Sequence, residues 1–194
     1  MDVFELNIRY GRMRECFEAN AFSFDFFKGL ELSDAKKVSF STPLWCKAKT
    51  PSQEGPLFDF LWNSYAIPLV SELAVRAIHE IDQGGEYELF PIAVIDSRGE
   101  TVASYNVLNI LTVYDAIDFD QSDLTFSERI DPISGKPYIG FANKLVVDRQ
   151  RIGGAALFRL ARYCQPMFCS DGIAHKLQSK QLTGVRPVKV LCGN

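Results

Sequence analysis

Two stretches of this chain are built to one plan, and a chain that repeats a plan has few folds open to it. Residues 65–94 read YAIPLVSELAVRAIHEIDQGGEYELFPIAV, and residues 163–190 read YCQPMFCSDGIAHKLQSKQLTGVRPVKV. Each opens on a tyrosine and an apolar stretch that contains a proline. Each then presents a serine followed by an acid, Ser71-Glu72 and Ser170-Asp171. Serine is a favoured helix N-cap, and an acid in the first turn meets the positive end of the helix dipole. A helical apolar spacing follows, then glycine (Gly84-Gly85, Gly184), then a strand led by Pro91 or Pro187. Glycine suits the left-handed position past a helix end. The plan is strand, helix, strand, written twice. Neither copy holds a nucleophile with its base, a metal cage or a phosphate loop. The doubled unit therefore reads as scaffold, which argues against a simple enzyme.

The rest of the composition sets the class. A chain of 194 residues, 47% hydrophobic and 23% charged, buries roughly two-thirds of its unfolded surface and needs no disulfide or metal to fold. Fifteen phenylalanines point to an aromatic core, with a sticky interface as the alternative. The first twenty residues carry charges throughout and lack the apolar segment of a secretory signal. No stretch approaches the ~18 apolar residues of a membrane span. Five scattered cysteines suit free thiols in a reducing cytoplasm. Cys164, Cys169 and His175 match no zinc spacing, so no metal or other cofactor is expected. The net charge of -3 hides an asymmetry. Residues 82–131 hold eleven acids against Arg98 and Arg129, and residues 132–194 hold ten bases against Asp148 and Asp171. Either the halves neutralise each other across the fold or one of them meets a charged partner.

Along the chain, residues 1–10 alternate as a first strand, and residues 15–32 are Phe-rich with weak periodicity. A second strand is expected over 38–46, interrupted by Pro43. Residues 47–56 (KAKTPSQEGP) form the clearest loop, a boundary between an N-terminal extension (1–55) packed on the main domain and an α+β unit (56–194). Residues 57–63 read as a short helix and 66–70 as a short strand. The helix begun at Ser71 puts Leu73, Ala77, Ile78 and Ile81 on its apolar face. Strands over 87–95 and 102–114, the second bent at Asn106 or Asn109, are joined by a turn at 97–100 into a hairpin. An acidic loop or strand edge follows at 115–123. A turn at 130–137, a strand over 139–148 and a turn at 149–154 lead into the second unit, whose closing strand is 185–191. The fold class is α+β, a mainly antiparallel sheet with a few helices and two similar strand–helix–strand units.

The second unit also carries a resemblance. Leu157-Phe158-Arg159-Leu160, then Ser170, then Leu182-Thr183-Gly184-Val185 resemble the C-terminal signature of a bacterial immunity-protein family, immunity-protein family eleven. Upstream, Phe90-Pro91-Ile92, Tyr105-Asn106-Val107-Leu108-Asn109 and Asp115-Ala116-Ile117-Asp118 are similar to the family's apolar-Pro strand, its Y-x-L-N strand and its D-A-I-D step. Ser71 after Pro68-Leu69-Val70 resembles its first serine-initiated helix. The resemblance covers residues 56–190. It implies a small cytoplasmic antitoxin without catalytic machinery, one that neutralises a toxin of a polymorphic toxin system. It does not name the toxin.

The residues themselves offer little catalysis. The two histidines, His79 and His175, sit at similar places on the two helices and read as a structural pair. Ser71 and Ser170 are explained by capping and lack a neighbouring base. Gly84-Gly85 and Gly153-Gly154 lack the context of a phosphate loop. The sharpest cluster is Asp115, Asp118, Asp120 and Asp123. It reads as a solvated acidic loop, as a divalent-metal site without the glycine and terminal glutamate of a calcium loop, or as an acidic surface that plugs the basic cleft of an anion-handling toxin. The bases of residues 132–194 are spread unevenly and form no recognition helix, so no nucleic-acid partner is expected. The leading reading is an immunity protein that binds a cognate toxin stoichiometrically, with Asp115, Asp118, Asp120 and Asp123 on its toxin-binding surface. The alternative is a small ligand-binding or enzymatic domain with a pocket near residues 115–123. A homodimer through the Phe-rich N-terminal part is a third.

Overall fold

The structure, a computed structural model, describes residues 2–8, 18–49, 57–61, 63, 66–82, 85–132 and 134–193. The first half contains β1 (Val3–Ile8), β2 (Glu18–Phe22), α1 (Phe26–Ser33), β3 (Leu44–Lys49), β4 (Phe60–Leu61), β5 (Leu69–Val70), α2 (Glu72–His79), β6 (Tyr87–Ile95) and β7 (Thr101–Ile110). The second half contains β8 (Val113–Tyr114), β9 (Asp123–Ile130), β10 (Pro137–Lys144), β11 (Val146–Asp148), a short 3-10 turn at Arg149–Arg151, β12 (Leu157–Leu160), β13 (Tyr163–Ser170), α3 (Asp171–Ser179), β14 (Val185–Lys189) and β15 (Leu191–Gly193).

Strand outweighs helix. One sheet has the order β14-β1-β13-β12-β8 and another the order β2-β3-β6-β7-β5-β4. The hairpin β9–β10 and the pair β11–β15 stand apart. Among the described residues, eight pairings are antiparallel and three, β3–β6, β8–β12 and β11–β15, are parallel. No helix among these residues is long and apolar enough to cross a membrane.

Alternation along the strands sorts side chains into three cores. Met167 and Cys169 of β13 join Leu6, Leu108, Ile110 and the buried faces of α2 and α3 between the two large sheets. Phe168, one residue from each, points the other way, to Phe158, Leu160, Val147 and Ile117. On the far side of the six-stranded sheet, Ile92, Val94, Tyr105 and Val107 pack with Leu32, Leu44 and Cys46. Phe22, Phe24, Phe40, Phe58 and Phe90 line this third core, so the phenylalanines described in the N-terminal part serve packing.

Both helices start from a serine in extended backbone, Ser71 (φ -68, ψ 162) and Ser170 (φ -71, ψ 164). Ser71 Oγ accepts from the Ala74 N–H at 3.2 Å, whereas Ser170 makes no side-chain cap bond. β5 and β6, joined by α2, flank the antiparallel β7. β13 and β14, joined by α3, flank the antiparallel β1.

Several expectations are corrected. The described residues of the helix expected over 57–63 are not helical. Phe60 and Leu61 form β4 and drop into different cores, which needs the two-residue period of a strand. Leu73 of α2 is 51% exposed, and the buried face is Ala74, Val75, Ala77 and Ile78. The strand expected over 38–46 starts only after Pro43, which has no N–H for a ladder. The strand expected over 102–114 continues through Asn106 and Asn109 without a register shift, ends at Ile110 and resumes as β8 in the other sheet. The strand expected over 139–148 breaks at Leu145 into β10 and β11, and 185–191 divides around Val190 into β14 and β15. Residues 124–129, passed over by the sequence reading, belong to β9. Tyr65, Gly84 and residues 50–56 of the expected loop lie outside the described residues.

Candidate functional site

The aspartate loop is strapped down by its apolar residues. Ala116 and Ile117 are buried. The Asp118 N–H donates to Val146 O at 2.9 Å and the Asp148 N–H to Ala116 O at 2.7 Å. The Ser122 hydroxyl completes the strap, accepting from the Val146 N–H at 3.0 Å. The four aspartates are thereby sent to different tasks. Asp118 accepts from the N–H groups of Asp120 (3.1 Å) and Gln121 (3.0 Å) and from Gln121 Nε2 (2.6 Å), so it builds the turn. Asp120 and Asp123 are exposed. Asp115 enters the wall of a cavity of about 380 Å³. None of the four makes an ion pair among the described residues, and no three metal-ligating side chains converge there.

The cavity lies between the turn after α1 (Asp34–Lys36), β8, the hairpin-tip residues Asp131, Pro132, Ser134 and Lys136, and the β12–β13 turn. Phe119, Val113 and Tyr138 supply apolar walls. A smaller cleft of about 240 Å³ shares Asp34, Tyr138, Arg162 and Cys164 with it. Arginines hold this corner together. Arg129 binds the Asp34 carboxylate and lies 4.5 Å over the Tyr138 ring. Arg162 donates to Pro137 O at 2.9 Å and lies 5.1 Å over Phe119 and 5.3 Å over Phe126. Beneath, the fully buried Arg159 gives its hydrogen bonds to the carbonyls of Ser33, Cys164 and Gln165, and its Nε has no partner. Burial lowers the Arg159 pKa to about 10, which still leaves it charged near neutrality.

Two groups of the cavity wall, Tyr138 and Cys164, are pushed away from neutral reactivity. Burial raises the Tyr138 hydroxyl to about 12, helped by the charges of Asp34 and Asp131 and opposed by Arg129. Burial also raises the Cys164 thiol, against the pull of Arg159. Thiolate is the reactive form, so such a cysteine is a poor nucleophile. Asp118 and the histidines are not in the wall. His79 and His175 are both exposed, and His79 Nδ1 meets the Tyr87 hydroxyl at 2.8 Å. What the cavity offers is shape, aromatic surface and one uncommitted carboxylate.

The motif residues singled out in the sequence hold the scaffold. Asp59 Oδ1 accepts from the Ser71 hydroxyl at 2.7 Å, and its Oδ2 accepts from the Thr183 N–H (2.9 Å) and hydroxyl (2.8 Å). One carboxylate thus ties the cap of α2 to the turn after α3. Tyr105 donates to Phe58 O at 2.6 Å and Asn109 to Lys36 O at 2.8 Å, so the Y-x-L-N strand anchors the chain on its outer face. A match to a family model spans residues 12–191. The chain belongs to the Immunity protein family (Imm11). The Imm11 match reaches well upstream of residue 56, where the recognisable motifs begin, and takes in α1, β2 and β3. No curated protein matches the chain.

Asp34, Arg129, Tyr138 and Arg162 were not singled out by sequence reasoning, because they come from four separate elements. Arg159 left one signal, a cation inside the apolar run LFRL. Asp59 left none.

Proposed function

We propose that this Imm11 protein neutralises a cognate bacterial toxin of a polymorphic toxin system by forming a stoichiometric complex with it in the cytoplasm, without catalysis of its own. The family match across residues 12–191 carries this reading. The surface supports it. Val113, Phe119, Phe126, Ile130 and Phe141 are all exposed and fall within one stretch that also holds Asp115, Asp118, Asp120 and Asp123. Clustered exposed apolar groups with a charged surround are the make-up of a protein interface. The toxin-binding surface is assigned to this face. The two strand–helix–strand units act as equivalent halves of the scaffold beneath it, and residues 1–55 pack with 56–194 as one globular unit.

The direct test is co-expression with the toxin encoded beside this gene, followed by isolation of the complex. Rescue of growth together with a one-to-one complex supports the reading. Toxicity that persists, or rescue without a complex, refutes it. A second reading, a small-ligand site, draws on the cavity beside Asp115. It requires a bound metabolite in protein purified without the toxin, detectable by native mass spectrometry.

A further inference from the structure

Resting on the toxin-binding reading, we propose that the cavity beside Asp115 is the socket for one arginine side chain of the toxin. A cavity of about 380 Å³ has room for a long side chain, and its wall includes the exposed apolar residues Val113 and Phe119. Val113 is 38% exposed and Phe119 40%, and the 47% exposed Phe126 shares Arg162 with Phe119. Interfaces concentrate their binding energy in a few anchors, arginine among the commonest, seated in pockets inside a water-excluding ring.

The charges select the anchor. The cations in the wall are largely engaged. Arg162 is held by Pro137 O and by two phenylalanine rings. Lys36 stands 3.7 Å from Asp34. Lys136, at the hairpin tip, is exposed, and its long stem lets the ammonium turn to solvent. Asp115 has no partner among the described residues, and Asp118, Asp120 and Asp123 extend the unneutralised acid outward. An incoming side chain therefore meets apolar walls along its stem and a carboxylate at its tip. Arginine fits this best. Its stem is apolar, and its head pairs with a carboxylate through two parallel hydrogen bonds.

The test measures the affinity of the full chain for the toxin domain encoded beside it. Val113→Trp fills the cavity from an exposed position and is expected to weaken the complex by about a hundredfold or more with unchanged melting temperature. Asp115→Asn is expected to weaken it by about tenfold, and Lys136→Gln not to weaken it. One toxin arginine is expected to lose affinity on change to alanine in a way that is not additive with Asp115→Asn. Wild-type affinity for both Val113→Trp and Asp115→Asn overturns the socket and leaves the toxin reading standing. Weakening by Lys136→Gln but not by Asp115→Asn overturns it in favour of an acidic anchor. Failure of the wild-type chain to bind overturns the toxin reading and the socket with it.

Discussion

Gly184→Ala probes the contact between the turn after α3 and β4. Gly184 lies in the turn between α3 and β14 at φ +80, and a methyl built on it falls 2.1 Å from the carbonyl oxygen of Phe60 and 2.8 Å from Phe58 Cβ. Two costs add. The left-handed backbone costs a residue with a Cβ about 1–2 kcal/mol. The overlap is with backbone, which no rotamer change relieves, and forced shifts of this kind cost about 1–3 kcal/mol. The neighbouring bonds, Phe60 N–H to Thr183 O at 3.1 Å and Asp59 N–H to Thr183 Oγ1 at 3.0 Å, are strained by the same shift. The expected loss is about 2–5 kcal/mol, a large share of the roughly 5–15 kcal/mol that holds a domain folded. Urea unfolding at constant slope measures it. Gly99→Ala is the reference, because Gly99 has the same sign of φ (+84) with nothing within 4 Å. It keeps the backbone cost and removes the overlap, so its expected loss is about 1–2 kcal/mol. If the two variants lose stability equally, to within about 0.5 kcal/mol, the close approach of the Phe60 carbonyl constrains nothing and the reasoning fails.

Other consequences are open to measurement. Asp59→Ala removes the acceptor of three hydrogen bonds and is expected to cost about 2–3 kcal/mol in urea unfolding. Arg159→Met leaves the carbonyls of Ser33, Cys164 and Gln165 without their buried donor, with an expected loss of about 2–4 kcal/mol. The double change Asp120→Asn and Asp123→Asn is expected to slow toxin association by a few-fold and flatten its salt dependence in stopped-flow mixing. Asp118 is left out because it builds the turn. At high pH, burial raises Cys46, Tyr105 and Tyr138 each to about 12 in the folded protein, from 9.0 for the thiol and 10.0 for the phenols. Between pH 9 and 12 the unfolded chain releases protons that the folded chain keeps, so stability is full below pH 9 and falls as pH rises through this window. A melting temperature that stays flat from pH 9 to 11.5 contradicts it.

Local rules were legible where local physics decides. The cap at Ser71, the start of α3 after Ser170, most of the apolar spacing of α2 and α3, and the turn at residues 97–100 follow from capping, period and turn chemistry. What stayed hidden depends on distant partners. Phe60 and Leu61 look helical next to Trp62, yet two cores on opposite sides of one strand claim them. Leu73 has the right spacing for a buried face, but Ala74 and Val75 take it, because α2 packs beside α3. The aspartates at 115, 118, 120 and 123 form one run in the sequence and divide into separate roles once Ala116 and Ile117 are buried. The cavity beside them is assembled from elements more than a hundred residues apart, and nothing in a linear pattern brings Asp34 to Tyr138.

The two large sheets also differ in when they can exist. Every strand of the six-stranded sheet comes from residues 18–110, so a nascent chain can complete it while the remainder is still being made. The five-stranded sheet places β1 between β13 and β14. Residues 3–8 must wait for residues 163–189 before either of their neighbours arrives. Contacts that join such distant segments form slowly. During synthesis β1 is an unpaired strand, open to the wrong partner, and the corner built on β8 and β12 takes shape only at the end.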